Sequence, residues 1–285
     1  MVITKLGIQK VVPVEDIREL TPKNSRIPVK LITVTMPDIA SKSQPGQFAM
    51  MWLYGVDEKP MGIAGISNDK VSFAVAKIGD ATTKIHSLKE GDLIGIRGPF
   101  GKGFTLKGKK IVIMGGGTGI APTKYLVEEA LKKEIEVSLF HGARTANELA
   151  FLNFFEKLAS KNSKFLYNPS TDDGSLGFCG FSTHCFQNLL DEGKDYDYMY
   201  ACGPELMMYN AWQQAKIKKI PFEACLADRY FKCAIGLCGQ CTVDPTGLRL
   251  CIDGPVFNDK QLQEMTDFGK YARDKYGRKI PINEK

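Results

Sequence analysis

The 285-residue chain is poor in histidine, with three, and in tryptophan, with two, and its apolar runs stay as short as Ile111–Met114. A spanning helix needs ~20 consecutive apolar residues, so no membrane crossing is expected. Lys plus Arg number 38 against 32 for Asp plus Glu, and the formal +6 is scattered along the chain instead of forming a basic stripe. Nucleic acid and charged membrane surfaces are therefore not the expected partners. Internal repeats and low-complexity tracts are missing as well. The start, Met1–Lys5, lacks the charged-then-apolar build of a signal segment, so a reducing cytoplasm without structural disulfides is expected.

The length suggests two domains plus an appendage, and 44% hydrophobic residues supply a large core. Eight cysteines in such a compartment need another explanation than disulfides. Cys179, Cys185, Cys202 and Cys225 stand singly, whereas Cys233, Cys238, Cys241 and Cys251 crowd together.

Residues 1–106 read as closely spaced strands, Val29–Thr35, Gln47–Leu53, Val71–Val75 and Leu93–Arg97, punctuated by Pro and Gly, which predicts a small antiparallel β-barrel. Residues 107–224 alternate. A strand at Lys110–Met114, a glycine turn, a helix over Ala121–Lys133 and a strand at Glu136–Phe140 make a βαβ unit. It continues through a helix near Leu149–Leu158, a strand at Lys164–Tyr167, a helix near Phe186–Leu190, a strand at Tyr196–Ala201 and a helix over Glu205–Lys219. Such alternation predicts a doubly wound parallel sheet, so the fold class is α/β plus all-β. Residues 225–258 read as a small cysteine-bearing lobe, and residues 259–285 as a charged tail with a short helix at Gln261–Phe268, its remainder either a solvated end or a partner contact.

The cysteine spacing is Cys-x4-Cys-x2-Cys-x9-Cys, and its first three members match the plant-type spacing for a [2Fe-2S] centre. Four soft thiolates in a glycine-rich segment suit iron and sulfide. Structural zinc, which more often uses two Cys-x2-Cys knuckles, is the alternative. The second feature is Gly115-Gly116-Gly117-Thr118-Gly119, between a strand and a helix. Glycine lets a phosphate approach the backbone, the helix start offers free N–H groups, and Thr118 adds a hydroxyl. Cys202-Gly203-Pro204 ends a later strand in the same way. In the barrel, Lys59-Pro60-Met61-Gly62, Lys77 to Thr83 and Gly98 to Phe104 are each a turn when taken singly.

In this order, these segments resemble the ferredoxin–NADP reductase superfamily, and within it the electron-transfer subunits of class 1B dihydroorotate dehydrogenase. The resemblance runs over about residues 5–258 and is most specific at Asp228–Cys241 and Leu250–Phe257. It implies an iron–sulfur lobe whose [2Fe-2S] cluster is held by Cys233, Cys238, Cys241 and Cys251. It implies FAD in the barrel, at Lys59, Pro60, Met61 and Gly62, at Lys77, Gly79, Ala81, Thr82 and Thr83, and along Gly98–Phe104. A nicotinamide dinucleotide is implied at Gly115–Gly119 and at Cys202, Gly203 and Pro204.

Three positions depart from the family pattern. Lys59 and Gly62 replace an arginine and a serine, giving a point charge for a planar fork and removing a hydroxyl. A further arginine is replaced by Ala76, beside Lys77. The activity implied is passage of electrons from NAD(P)H through FAD and the cluster to an FMN-containing dihydroorotate dehydrogenase catalytic subunit, in a hetero-oligomer serving pyrimidine biosynthesis. No side chain is assigned as acid or base, and His86, His141 and His184 are expected to be structural. Other flavin iron–sulfur reductases, of hydrogenase, sulfide dehydrogenase or transhydrogenase type, share the architecture. A zinc-stabilised nucleotide-binding regulatory protein is the alternative of another class. Arg144 and Glu148, after the second strand of the α/β domain, leave NAD and NADP both open.

Overall fold

The computed structural model describes residues 8–282, so Met1–Lys5 lie outside it. Six strands close the N-terminal barrel: β1 (Lys10–Glu19), β2 (Val29–Thr35), β3 (Phe48–Leu53), β4 (Asp57–Ser67), β5 (Lys70–Ala76) and β6 (Leu93–Phe100). Their order is β1-β2-β5-β4-β3-β6, antiparallel throughout. Alternation drives closure: Ile32 and Val34 of β2, Val71, Phe73 and Val75 of β5 and Ile94 and Ile96 of β6 turn inward and are buried, each contributing on the order of 1.5–3 kcal/mol. Two short helices, α1 (Pro37–Ala40) and α2 (Asp80–His86), decorate it.

The open sheet begins with β7 (Lys110–Gly116), α3 (Ile120–Lys132), β8 (Glu136–Ala143), α4 (Leu152–Lys161) and β9 (Phe165–Thr171). It continues with β10 (Phe178–Cys179), α5 (Ser182–Asp191), β11 (Tyr198–Cys202), α6 (Glu205–Ile217) and β12 (Phe222–Cys225), and takes a last strand from β13 (Val256–Asn258). Its order, β10-β9-β8-β7-β11-β12-β13, runs outward from β7 in both directions. The switch point therefore lies at the carboxyl ends of β7 and β11, where open α/β sheets bind ligands. All pairings are parallel except β12 with β13.

The cysteine lobe is an excursion between these two neighbouring strands, closed at its neck by the Leu226 N–H donating to the Pro255 carbonyl at 2.9 Å. The last segment is not a solvated end. It holds α7 (Asp259–Glu264) and a hairpin of β14 (Tyr271–Arg273) and β15 (Lys279–Pro281), and buries Leu262, Phe268 and Ala272. Phe268 packs at 5.6 Å from Trp212 and 5.8 Å from Tyr209 of α6. The helix starts earlier than expected because Asn258 and Gln261 exchange side-chain to backbone hydrogen bonds, a capping box. No helix among the described residues is long and apolar enough to cross a membrane.

Candidate functional site

Two glycine turns interlock at the switch point. Cys202 pairs in register with Gly115, and a Cβ on Gly119 would stand 2.3 Å from the Cys202 carbonyl oxygen and 2.4 Å from the Gly203 nitrogen. Gly203, at φ +156, faces back so closely that its Cβ would meet the Gly116 oxygen at 2.8 Å. Sequence reading placed both segments at the nucleotide, and the fold brings them together. Gly117 and Thr118 are exposed beside them, and no side chain caps the first turn of α3. The positive end of the α3 dipole thus lies behind the exposed Gly117 and Thr118.

The nucleotide half and the barrel meet along α3. Pro122 lies against Gly62 of β4, where an added Cβ would be 3.5 Å from Pro122 Cδ. The Tyr125 hydroxyl donates to the Ser43 carbonyl at 3.0 Å. Lys59, Pro60, Met61 and Gly62 form one stretch of a strand and not a turn, opposite Met51, Met50, Ala49 and Phe48 of β3. Lys59 Nζ is held by Asp57 at 2.5 Å. Lys77 is exposed, while Ala76 and Ala81 are buried. Gly79 precedes α2, and the Thr82 hydroxyl accepts the Ile78 and Gly79 N–H groups at 2.9 and 3.0 Å while donating to the Gly79 carbonyl. Thr82 is thus engaged in its own turn, and Thr83 is exposed. The nucleotide half meets the barrel that carries these residues through α3, against β4, and through Gly117–Gly119, near β5.

The four clustered cysteines gather as two pairs. Cys241 Sγ and Cys251 Sγ are 3.4 Å apart and buried. Cys233 is hydrogen-bonded to the thiol of Cys238, whose own N–H donates to Cys233 Sγ at 3.4 Å. Burial opposes ionisation of Cys233, but the N–H groups of Cys238, Ile235 and Leu237 outweigh it and bring the thiol down to about 7. A hydrogen bond with Cys251, helped by nearby backbone N–H groups, brings Cys241 down to about 6, and the same contact with burial pushes Cys251 up. Gly236, at φ +74, turns the chain where a Cβ would strike Ile252 and Arg249. Among the described residues no three His, Cys, Asp or Glu side chains converge as a single metal ion would require. Two thiol pairs, each wrapped in backbone donors, fit a binuclear group with two thiolates per metal, since each iron of a [2Fe-2S] centre takes two protein sulfurs.

The lobe is seated on the barrel. Lys102 N–H donates to the Gly254 carbonyl, Phe231 stacks edge-on to Phe48 at 4.9 Å, and Arg97 reaches the Cys233 carbonyl with two N–H groups at 3.2 Å each. Gly101 lies so near Pro255 that its Cβ would be 2.5 Å away.

Comparison with known proteins agrees with this geometry. The family model for the iron-sulfur cluster binding domain of dihydroorotate dehydrogenase B matches residues 228–263, and that for an oxidoreductase NAD-binding domain matches residues 113–213. A Methanocaldococcus jannaschii protein named probable dihydroorotate dehydrogenase B (NAD(+)), electron transfer subunit, is 48% identical over 83% of this chain and 88% of its own. Its Methanothermobacter thermautotrophicus counterpart is 41% identical over 86% and 89%. The chain belongs to the dihydroorotate dehydrogenase B electron transfer subunit family.

Solved structures place the family's fold. An NADH-dependent reduced ferredoxin-NADP oxidoreductase, described for flavin-based electron bifurcation, superposes with a TM-score of 0.77 at 25% identity, over 91% of this chain and 90% of that one. A Neisseria gonorrhoeae ferredoxin NADP+ reductase with bound FAD and NADP superposes at 0.61 and 19% identity, over 73% and 91%. The first matched region holds all four clustered cysteines, and the second holds both interlocked turns. Sequence reading passed over Glu58, Arg97, Glu205, Arg229 and Asp267, which tie this family member's parts together. The only signal was position: Glu58 and Arg97 each directly precede a segment singled out in the barrel, and Arg229 precedes the first cluster cysteine by four residues.

Proposed function

We propose that this chain passes electrons from NADH, through FAD in the barrel and a [2Fe-2S] cluster in the lobe, to an FMN-containing dihydroorotate dehydrogenase catalytic subunit in the cytoplasm. The observation that carries this is the pairing of Cys233 with Cys238 and of Cys241 with Cys251 in a lobe docked on the barrel. The flavin, when bound, supplies the conversion between a two-electron hydride donor and one-electron acceptors. The residues of the chain do the binding and aligning. Gly115–Gly119 with the start of α3 would hold a pyrophosphate, and Cys202, Gly203 and Pro204 close the opposite wall. The segments Lys59–Gly62, Lys77–Thr83 and Gly98–Phe104 would hold FAD, with Lys59 drawn toward Asp57 and Thr82 fixed in its own turn. The division that follows is a flavin barrel over 1–106, a nucleotide domain over 107–224, a cluster lobe over 225–258 and a terminal segment over 259–285.

The test is anaerobic purification with the co-expressed catalytic subunit. Iron and acid-labile sulfide at two each per chain, one flavin, faster bleaching by NADH than by NADPH, and orotate-dependent NADH oxidation are expected. Colourless protein carrying zinc would overturn the proposal. A second reading, a reductase subunit of another flavin iron–sulfur complex, is favoured by the 0.77 TM-score to the bifurcating oxidoreductase. It predicts intact NADH-dependent bleaching without orotate turnover.

A further inference from the structure

Glu58 on β4 and Arg97 on β6 reach toward each other across β3. The contact is bidentate, Arg97 Nε to Glu58 Oε1 and Nη2 to Oε2, both at 2.6 Å, with the two side chains only 15% and 23% exposed. The remaining donors go elsewhere: Nη1 and Nη2 both donate to the Cys233 carbonyl at 3.2 Å, and the guanidinium lies 5.2 Å from the centre of the Phe100 ring. Only a guanidinium has enough donors, in a fixed planar fork, to grip a carboxylate and a carbonyl at once. The place is as telling as the geometry. Glu58 directly precedes Lys59-Pro60-Met61-Gly62, Arg97 directly precedes Gly98-Pro99-Phe100, and the carbonyl that Arg97 reaches belongs to the first of the four clustered cysteines.

We propose that Glu58 and Arg97 form an ionic bridge that fixes the Cys233 side of the cluster lobe on the flavin barrel and balances the charge felt by the cluster. This rests on the function proposed above. Arg97 is a positioning residue, acting through the Cys233 backbone, and Glu58 orients it and offsets its charge. A half-buried pair is screened less than a surface pair, so removing either member leaves an uncompensated charge beside the lobe. The two losses are structurally alike and electrostatically opposite. Losing a positive charge disfavours adding an electron nearby, and losing a negative charge favours it.

The experiment is an EPR-monitored redox titration of the cluster in the complex with its catalytic subunit, for wild type, Glu58→Gln, Arg97→Gln and Arg97→Lys. The bridge predicts a raised midpoint potential for Glu58→Gln, a lowered one for Arg97→Gln and an almost unchanged one for Arg97→Lys. It also predicts that Arg97→Lys, keeping the charge without the fork, transfers electrons from flavin to cluster several-fold more slowly. Shifts of the same sign, or none with the cluster retained, would overturn it while leaving the electron-transfer function standing. If Arg97→Gln cannot hold a cluster, Glu58→Gln against Arg97→Lys decides: a potential no higher in Glu58→Gln overturns the bridge. A wild-type chain that binds neither iron nor flavin would overturn the function, and the bridge with it.

Discussion

A missing methyl group is the smallest unit of design at the nucleotide turn. Gly119 has φ −65, which any residue adopts, so its need for glycine comes wholly from the Cys202–Gly203 backbone standing 2.3–2.4 Å from where a Cβ would sit. Backbone cannot yield as a side-chain tip does. Gly119→Ala is expected to cost about 1–3 kcal/mol by overpacking and to weaken NADH binding. Gly117→Ala is the control: its φ is +53 but nothing lies within 4 Å of the added carbon, so only the left-handed strain of about 1 kcal/mol applies. Urea denaturation and NADH titration of the two variants check this; an equal effect on binding would refute the interlock. His141 gives a pH signature at the same scale. Burial lowers it from 6.5 to about 3, with Nδ1 3.0 Å from the Tyr167 hydroxyl. Between those values the unfolded chain binds a proton that the native one does not, so stability falls with acidification by about 1.4 kcal/mol per pH unit. His141→Gln cannot take up that proton. Its denaturation midpoint is expected to fall less than that of wild type between pH 6.5 and 4.5, by the equivalent of about 2–3 kcal/mol, and parallel curves would contradict the assignment.

Three elements distant in sequence share one guanidinium. Arg229, just before the cluster cysteines, donates to Glu205 at the start of α6 through Nε at 2.9 Å and Nη2 at 2.6 Å, and to Asp267 of the last segment through Nη1 at 2.5 Å. All three are buried, and the N–H groups of Gly269 and Asp244 complete the set on Glu205 and Asp267. Asp267 Oδ1 has no partner. Arg229→Met would leave two carboxyl groups buried against each other and is expected to cost about 3–5 kcal/mol. Asp267→Asn keeps an acceptor for Arg229 and places its amide where a partner is already missing, so a loss of about 1 kcal/mol or less is expected. Chemical denaturation separates the two, and a comparable loss in both would mean that packing alone holds the segment. None of this was legible beforehand, because ion pairs across nearly forty residues leave no local pattern. Elements with a clean period were legible: β2, β3, β5, β6, β7 and β8 stand close to where alternation or apolar runs put them. β4 was missed because Asp57, Glu58, Lys59, Pro60 and its glycines read as a turn, although pairing with β3 and β5 overrides that composition. β1 was missed because its barrel pairing leaves much of it exposed and charged. The cysteine quartet stood out in the sequence because ligand chemistry would fix such a spacing more tightly than packing does. Its seat on the barrel did not.

At the scale of the whole molecule, the lobe is an insertion whose two ends are neighbours. β12 enters it and β13 leaves it as adjacent antiparallel strands, and the neck is closed by Leu226 and Pro255. Between those points there is little regular structure, so the lobe's internal order rests on four sulfurs, a few backbone bonds such as Leu250 N–H to the Cys241 carbonyl at 3.0 Å, and the burial of Phe231, Val243 and Leu250. The sheet depends less on the lobe in return: β7 pairs with both β8 and β11, and one face buries Ile113, Leu139 and Tyr200 in a core that takes nothing from the lobe's interior, while the other face, with Val112, Phe140 and Met199, shares its core with Phe231, Val243 and Leu250 of the lobe. Local stability follows such differences in cooperative contact. Removing the metal with a chelator is therefore expected to loosen residues from about 230 to 252 while leaving the barrel, the parallel sheet and the β12–β13 pair intact. Hydrogen exchange read by mass spectrometry checks it. Val243 and Leu250 should lose protection in the metal-free protein, and Ile113, Tyr200 and Phe257 should keep it. Exchange rising together across all three regions would show that the metal centre holds the entire chain folded, in which case the neck formed by β12 and β13 does not insulate the sheet from the lobe.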